Sequence, residues 1–185
     1  MFSTLRPVNN VLRIAGVLNA AVWFGAAMFF TWAAAPAFFS PEMKEVLGPK
    51  NYPYYSGAVA QIVVARYFAL QYVCGVLALL HLFFEWMFLG KAIHKFSIGL
   101  VLALAGIGLL GGLAMQPKMK QLHRTKYSLT TPAGERERAA KVFGRWHGVA
   151  AGMNLVLLAG LAVHLWRCTS TPAGGRFVSA NKFHA

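Results

Sequence analysis

The sequence predicts an all-α polytopic membrane protein, a four-transmembrane-helix bundle with the last helix extended into the preceding loop. Three observations predict it. First, hydrophobic residues make up 57% of the 185 residues and charged residues 12%, with a mean hydropathy of +0.51. That charge is about half the ~25% of an average soluble domain, and a chain this short has too much surface to hide its apolar excess in water. Second, the apolar residues gather into four runs long enough to cross a hydrocarbon core of about 30 Å. Third, the cations flank those runs. There are 18 Lys and Arg against 5 Asp and Glu, a net charge of +13 and a pI near 10.3. Cations placed this way meet anionic headgroups. They do not cover one face and no nucleic-acid-binding motif appears, so nucleic acid is not an expected partner.

The first run is Ile14–Ala35, without a charge from end to end, preceded by Arg6 and Arg13 and followed by Pro36. A signal peptide is the rival reading, because Ala33 and Ala35 imitate a cleavage site. An h-region has only about 7–15 residues, however, so a retained span is expected. The connection Pro36–Gly57 contains Ser40-Pro41-Glu42, which starts a short helix with a cap, a first-position proline and a first-turn acid. Gly48-Pro49 stops it. The second run, Ala58–Leu89, is the longest of the four. At a rise of about 1.5 Å per residue it exceeds the hydrocarbon thickness, so it tilts or protrudes. It holds Arg66, Gln61 and Gln71, and the carboxylate Glu85 near its end.

Gly90–Lys95 is short, which makes the second and third spans antiparallel neighbours. The third run is Phe96–Met115, again with no charge. Gln116–Arg145 then reads as one long connection, with eight Lys and Arg against two Glu. Its second half opens on Thr131-Pro132, a further cap and proline. Glu137 and Lys141 stand four apart as an ion pair. One helix is expected from about Pro132 through Trp166, and its membrane part is Trp146–Trp166, with an interfacial indole at each end. Residues 1–167 form a single membrane domain. The tail 168–185 is rich in Gly, Ser, Thr and Pro and is expected to be disordered. Helices are the only open choice, because lipid offers no partner to backbone amides and the segments are too few and too long for a barrel.

Both termini fall on one side. The terminal segments and Gly90–Lys95 carry 7 Lys and Arg, and the other two connections carry 10. The positive-inside rule therefore expects the third connection in the cytoplasm and the protein in the plasma (inner) membrane.

The polar residues inside the runs are the candidate site. His147 and Asn154 are seven apart and share a helix face. Arg66 and Asn154 each lie about eight residues into their spans, a depth of about 12 Å. A cluster of Arg66, His147 and Asn154, with Asn19 as a possible member, is expected to be structural or to bind a small solute or ion. If the second span is instead 67–89, Arg66 is an interfacial residue that snorkels. Gly144, Gly148 and Gly152 form a stripe at spacing four, and Gly108 and Gly112 form a shorter one. Small residues at this spacing let helices approach closely in lipid, within the bundle or between protomers, so a homo-oligomer or an assembly scaffold is a second reading. The third is a redox protein with haem held by His81 and His164 between the second and fourth spans. His94, His123 and His184 fall in connections or the tail. Cys74 and Cys168 give no disulfide framework and no zinc spacing. No acid pair, nucleophile–base pair or phosphate loop is visible. The expected role is therefore non-enzymatic, without a metal or cofactor unless the haem reading holds, and with membrane lipid as the partner.

Two stretches carry a resemblance. Lys50-Asn51-Tyr52-Pro53-Tyr54-Tyr55 enters the second span, and His147-Gly148 with Asn154-Leu155 opens the fourth. With four apolar segments and a long polar stretch before the last, the chain resembles the transmembrane protein 205-like family of small four-helix membrane proteins. The likeness covers roughly 14–166. It implies the membrane architecture and marks Pro53, His147, Gly148 and Asn154 as family positions. It supplies no reaction, and Arg66 is not part of its motifs.

Overall fold

The computed structural model describes residues 5–89 and 94–170. No strand occurs among them, and four helices are long and apolar enough to cross a membrane. Helix α1 covers 5–37. It is α-helical over Leu5–Phe29, widens to a π-helix over Phe30–Ala34 and resumes over Ala35–Ala37. Helix α2 is Pro41–Leu47, α3 is Tyr52–Leu89, and α5 is Ala133–Thr169. Helix α4 covers 95–127, α-helical over Lys95–Leu109, π-helical over Leu110–Met115 and α-helical over Gln116–Tyr127.

Both π turns come just before a proline. A proline cannot donate to the carbonyl four residues back, and its ring collides with it. Widening the turn clears the ring: the N–H groups of Ala35 and Gln116 reach back five residues, to Phe30 and Gly111. Pro36 and Pro117 therefore sit inside continuous helices. This corrects two sequence expectations. The helix that carries the first apolar run does not stop before Pro36. The long connection Gln116–Arg145 is not a loop, since α4 continues to Tyr127 and only 128–132 separates it from α5. Hydropathy ends where water begins, but the backbone ladder runs on. The helix that carries the second apolar run likewise starts at Tyr52, before Ala58.

Local signals set the other ends. Ser40 Oγ accepts from the Met43 N–H at 3.2 Å, Pro41 takes the first position, and Gly48 closes α2 at φ +71°. The Ser40 hydroxyl, and then Glu42's own backbone amide, hold the Glu42 carboxyl below its ordinary pKa. At α5 the capping position is Pro132 itself, with no side-chain cap from Thr131. Glu137 and Lys141 pair at 2.8 Å. Residues 90–93 of the second connection and 171–185 of the expected disordered tail, with His184, lie outside the described residues.

The four long helices form a closed ring in which α1 packs on α3 and α5, and α4 packs on the same two neighbours. Helices α1 and α3 run antiparallel through a ladder of contacts. His81 Nε2 donates to the Leu12 carbonyl at 3.0 Å, Asn19 Nδ2 to the Cys74 carbonyl at 3.0 Å, and Trp23 Nε1 to Gln71 Oε1. Phe30 stacks on Tyr67 with centroids 4.3 Å apart. Ala20, Ala27, Cys74 and Ala78 keep this interface thin, and Trp23, Val101, Leu104 and Leu161 fill the centre. The outward faces are apolar as well: Ile62, Leu113 and Val156 are each more than 60% exposed. Lipid is the solvent that such a surface fits.

Candidate functional site

Asn154 is the polar centre of the bundle. Its side chain lies between α1, α3 and α5. Asn154 Oδ1 accepts from Tyr67 Oη at 2.9 Å, and its Nδ2 donates to Thr31 Oγ1 at 2.7 Å. The Thr31 hydroxyl in turn donates to the Ala27 carbonyl at 2.7 Å, just where α1 begins to widen. Each polar atom in this chain is spent on another, which is how lipid-embedded polar groups avoid the cost of an empty hydrogen bond.

The expected cluster of Arg66, His147, Asn154 and Asn19 is therefore divided. The depth match between α3 and α5 is kept, but Tyr67 reaches Asn154, not Arg66. One helical residue turns the side chain by about 100°, and Arg66 is exposed. Asn19 bonds to the backbone of Cys74, toward the other end of the bundle. His147 is exposed and stacks over Phe143, with ring centroids 6.2 Å apart.

His147 and Asn154 do share one feature. Both line a cavity of about 340 Å³ enclosed by the end of α1 and by α3, α4 and α5. Phe30, Phe38, Val64, Phe68, Met115 and Leu157 make most of its wall apolar. The Tyr67–Asn154–Thr31 chain forms a polar patch on that wall. Gln61, Gln116 and His147 add polar groups that hydrogen-bond to no other side chain among the described residues. The spacing of His147 and Asn154 pointed to this face. Tyr67 and Thr31 were missed, because a hydroxyl inside an apolar run gives no sign of which neighbour it will meet.

The remaining candidates sit elsewhere. Gly108 faces Gln71, and Gly112 faces Tyr72 and Phe68, so this short stripe packs on α3. At Gly144, Gly148 and Gly152 an added methyl would meet no atom within 4 Å among the described residues, so this stripe does not pack on Gly108 and Gly112 within the bundle. Gly112 is packed most tightly of all, and two glycines outside both stripes are also close to a ring: Gly16 lies under His81 and Gly57 under His123. His123 is not in a connection. It is buried in α4 among Tyr54, Tyr127 and Phe143, and its Nε2 has no hydrogen-bond partner among the described residues.

His81 and His164 lie at the end opposite the cavity, and neither lines it. His81 uses Nε2 on the Leu12 carbonyl. His164 meets the edge of Trp23 at 6.1 Å and turns Nε2 toward Cys168 Sγ at 3.9 Å. Gly16 fills the space over the His81 ring, so the pair does not offer an open slot for a macrocycle. No group of three His, Cys, Asp or Glu side chains fit to hold a metal occurs among the described residues.

A family model described as "Domain of unknown function (DUF4149)" matches residues 18–128, from α1 through the end of α4. No curated protein and no solved structure matches.

Proposed function

The chain belongs to the DUF4149 family, and on that premise we propose that it is a non-enzymatic integral membrane protein that holds a small molecule in the cavity beside Asn154. The carrying observation is the cavity itself. About 340 Å³ of apolar space is walled by all four long helices, with Gln61, Gln116 and His147 left for a ligand. At a liquid-water share of ~30 Å³ per group, that is room for roughly ten non-hydrogen atoms, at the low end of ordinary ligand sites. A bare ion fits poorly, since aromatic and aliphatic walls do not replace its hydration.

Native mass spectrometry of detergent-purified protein tests the reading. The wild type should retain an adduct that Ala150→Phe, which fills the cavity wall, releases. Identical bare spectra for both would overturn it.

The likeness to the transmembrane protein 205-like family belongs with this proposal. Its first motif lies within the matched 18–128 and packs against His123, and its second places His147 and Asn154 on the cavity. So does the placement in the plasma (inner) membrane with 128–132 in the cytoplasm, which the cation count supports. The haem reading has less support, because both imidazoles are packed against protein. The scaffold reading keeps one supporting fact, the bare Gly144–Gly148–Gly152 stripe.

A further inference from the structure

We propose that the cavity takes a segment of one acyl chain of an anionic membrane lipid, drawn in sideways between the end of α1 and the membrane part of α5. This rests on the small-molecule reading and names the class of molecule.

The exposure pattern locates the entrance. Among the lining residues, Phe39, His147, Ala151 and Leu155 are exposed: Phe39 lies in the turn just after α1, and the other three on α5. The lining residues on α3 and α4 are buried or half-buried. Ala151 and Leu155 fall inside the apolar run that follows Trp146, so the gap faces hydrocarbon, not water. Its edge is thin: Gly148 and Gly152, beside Ala151, have open space where a side chain would stand. A lipid chain can therefore cross the edge without displacing a residue.

The polarity of the cavity matches an amphiphile and sets its direction. The deep wall, with Phe68, Ile107 and Leu157, suits methylenes. The polar groups Gln61, Gln116 and His147 lie toward the end where α4 and α5 continue beyond the apolar runs. That end carries the cations. Residues 116–145 hold eight Lys and Arg against two Glu, and such a collar attracts an anionic headgroup. A neutral small solute would use the cavity but draw nothing from the collar.

The test places the full chain in lipid nanodiscs holding a trace of phosphatidylglycerol with a diazirine midway along one acyl chain. A parallel set holds phosphatidylcholine with the same chain. After irradiation, peptide mass spectrometry locates the labels. The phosphatidylglycerol probe should label Phe68, Met115 or Met119 at least fivefold more than the phosphatidylcholine probe. Ala151→Phe should cut that interior label at least fivefold and leave outward labels on Leu113 and Val156 unchanged. Gly148→Leu, which meets no neighbour in the fold, should lower it in the same direction. Labels confined to outward residues would overturn the proposal, and equal interior labelling by the two probes would overturn the anionic head. A non-lipid adduct retained in native mass spectrometry without interior labelling would sink the lipid and keep the small-molecule reading. Neither adduct nor interior label would sink both.

Discussion

Asn154 shows how one amide joins three helices. It accepts a hydrogen bond from Tyr67 on α3 and donates one to Thr31 on α1. Hydrogen bonds between membrane helices contribute about 0.6 to 2 kcal/mol each. Asn154→Leu removes two and strands the Tyr67 hydroxyl, so a loss of roughly 1–3 kcal/mol is expected. Tyr67→Phe should cost less, because only the Asn154 oxygen is stranded. Reversible unfolding in mixed micelles measures both, and a double-mutant cycle should return a coupling near the smaller value. An additive pair would mean that the two side chains act separately. His147 and Asn154 were legible in the sequence because a helix returns to the same face after seven residues. Arg66 stood out for its charge, yet the charged group is the one that turns outward, toward headgroups and water defects. Its neighbour Tyr67, unremarkable in an apolar run, carries the bond inward. Charge marks a residue as costly, but direction is set by packing on neighbouring helices that a single segment does not reveal.

At the scale of the element, apolar run length located all four spans, because lipid forces backbone polarity to be satisfied within each segment. It did not locate helix ends. Tyr52–Gly57 and Gln116–Tyr127 are helical although polar, since Gly57 on α3 and His123 on α4 pack against each other there. Glycine spacing misled for a related reason. A methyl added on the regular stripe of α5 would meet nothing among the described residues, while isolated Gly57 is held tightly under the His123 ring. Gly57→Leu should therefore destabilise by about 1–3 kcal/mol through overpacking. Gly148→Leu should be neutral, or gain roughly 0.5–1 kcal/mol of helix propensity. Thermal unfolding of the two variants side by side checks the contrast, and a larger loss at Gly148 would place a partner on that stripe. The cap of α2 makes a separate prediction. Glu42 is depressed in the folded chain, first by the Ser40 hydroxyl. Its contribution is thus present above the unfolded pKa and lost as pH falls through the lower, folded one. Titration of the Glu42 side-chain carbon by NMR should give a midpoint below that of an unstructured glutamate. In Ser40→Ala the midpoint should move back up, and an unmoved midpoint would assign the shift elsewhere.

The whole molecule is electrically asymmetric, and the helix ends sharpen that asymmetry. Because α4 continues to Tyr127 and α5 starts at Ala133, the cations of 116–145 stand on two adjacent helices that leave the bundle together. They are not spread along a long wandering loop. At the opposite end, Arg167 is engaged locally, donating to Ser97 Oγ at 3.0 Å and lying over the Phe96 ring at 5.0 Å. A held charge near the interface and a projecting pair of basic helices are not equivalent to the translocation machinery. Translocating the hairpin would carry eight Lys and Arg across. The expected orientation therefore puts 128–132 in the cytoplasm, with the ends of α3 and α5 outside. Thr130 is exposed at the tip of that hairpin. In a chain with Cys74→Ser and Cys168→Ser, a Thr130→Cys variant should react with a membrane-impermeant maleimide in inside-out vesicles and resist it in intact cells. Labelling of intact cells would reverse the orientation. It would also turn the cation-rich end of the bundle away from the cytoplasmic leaflet, where anionic lipids are enriched.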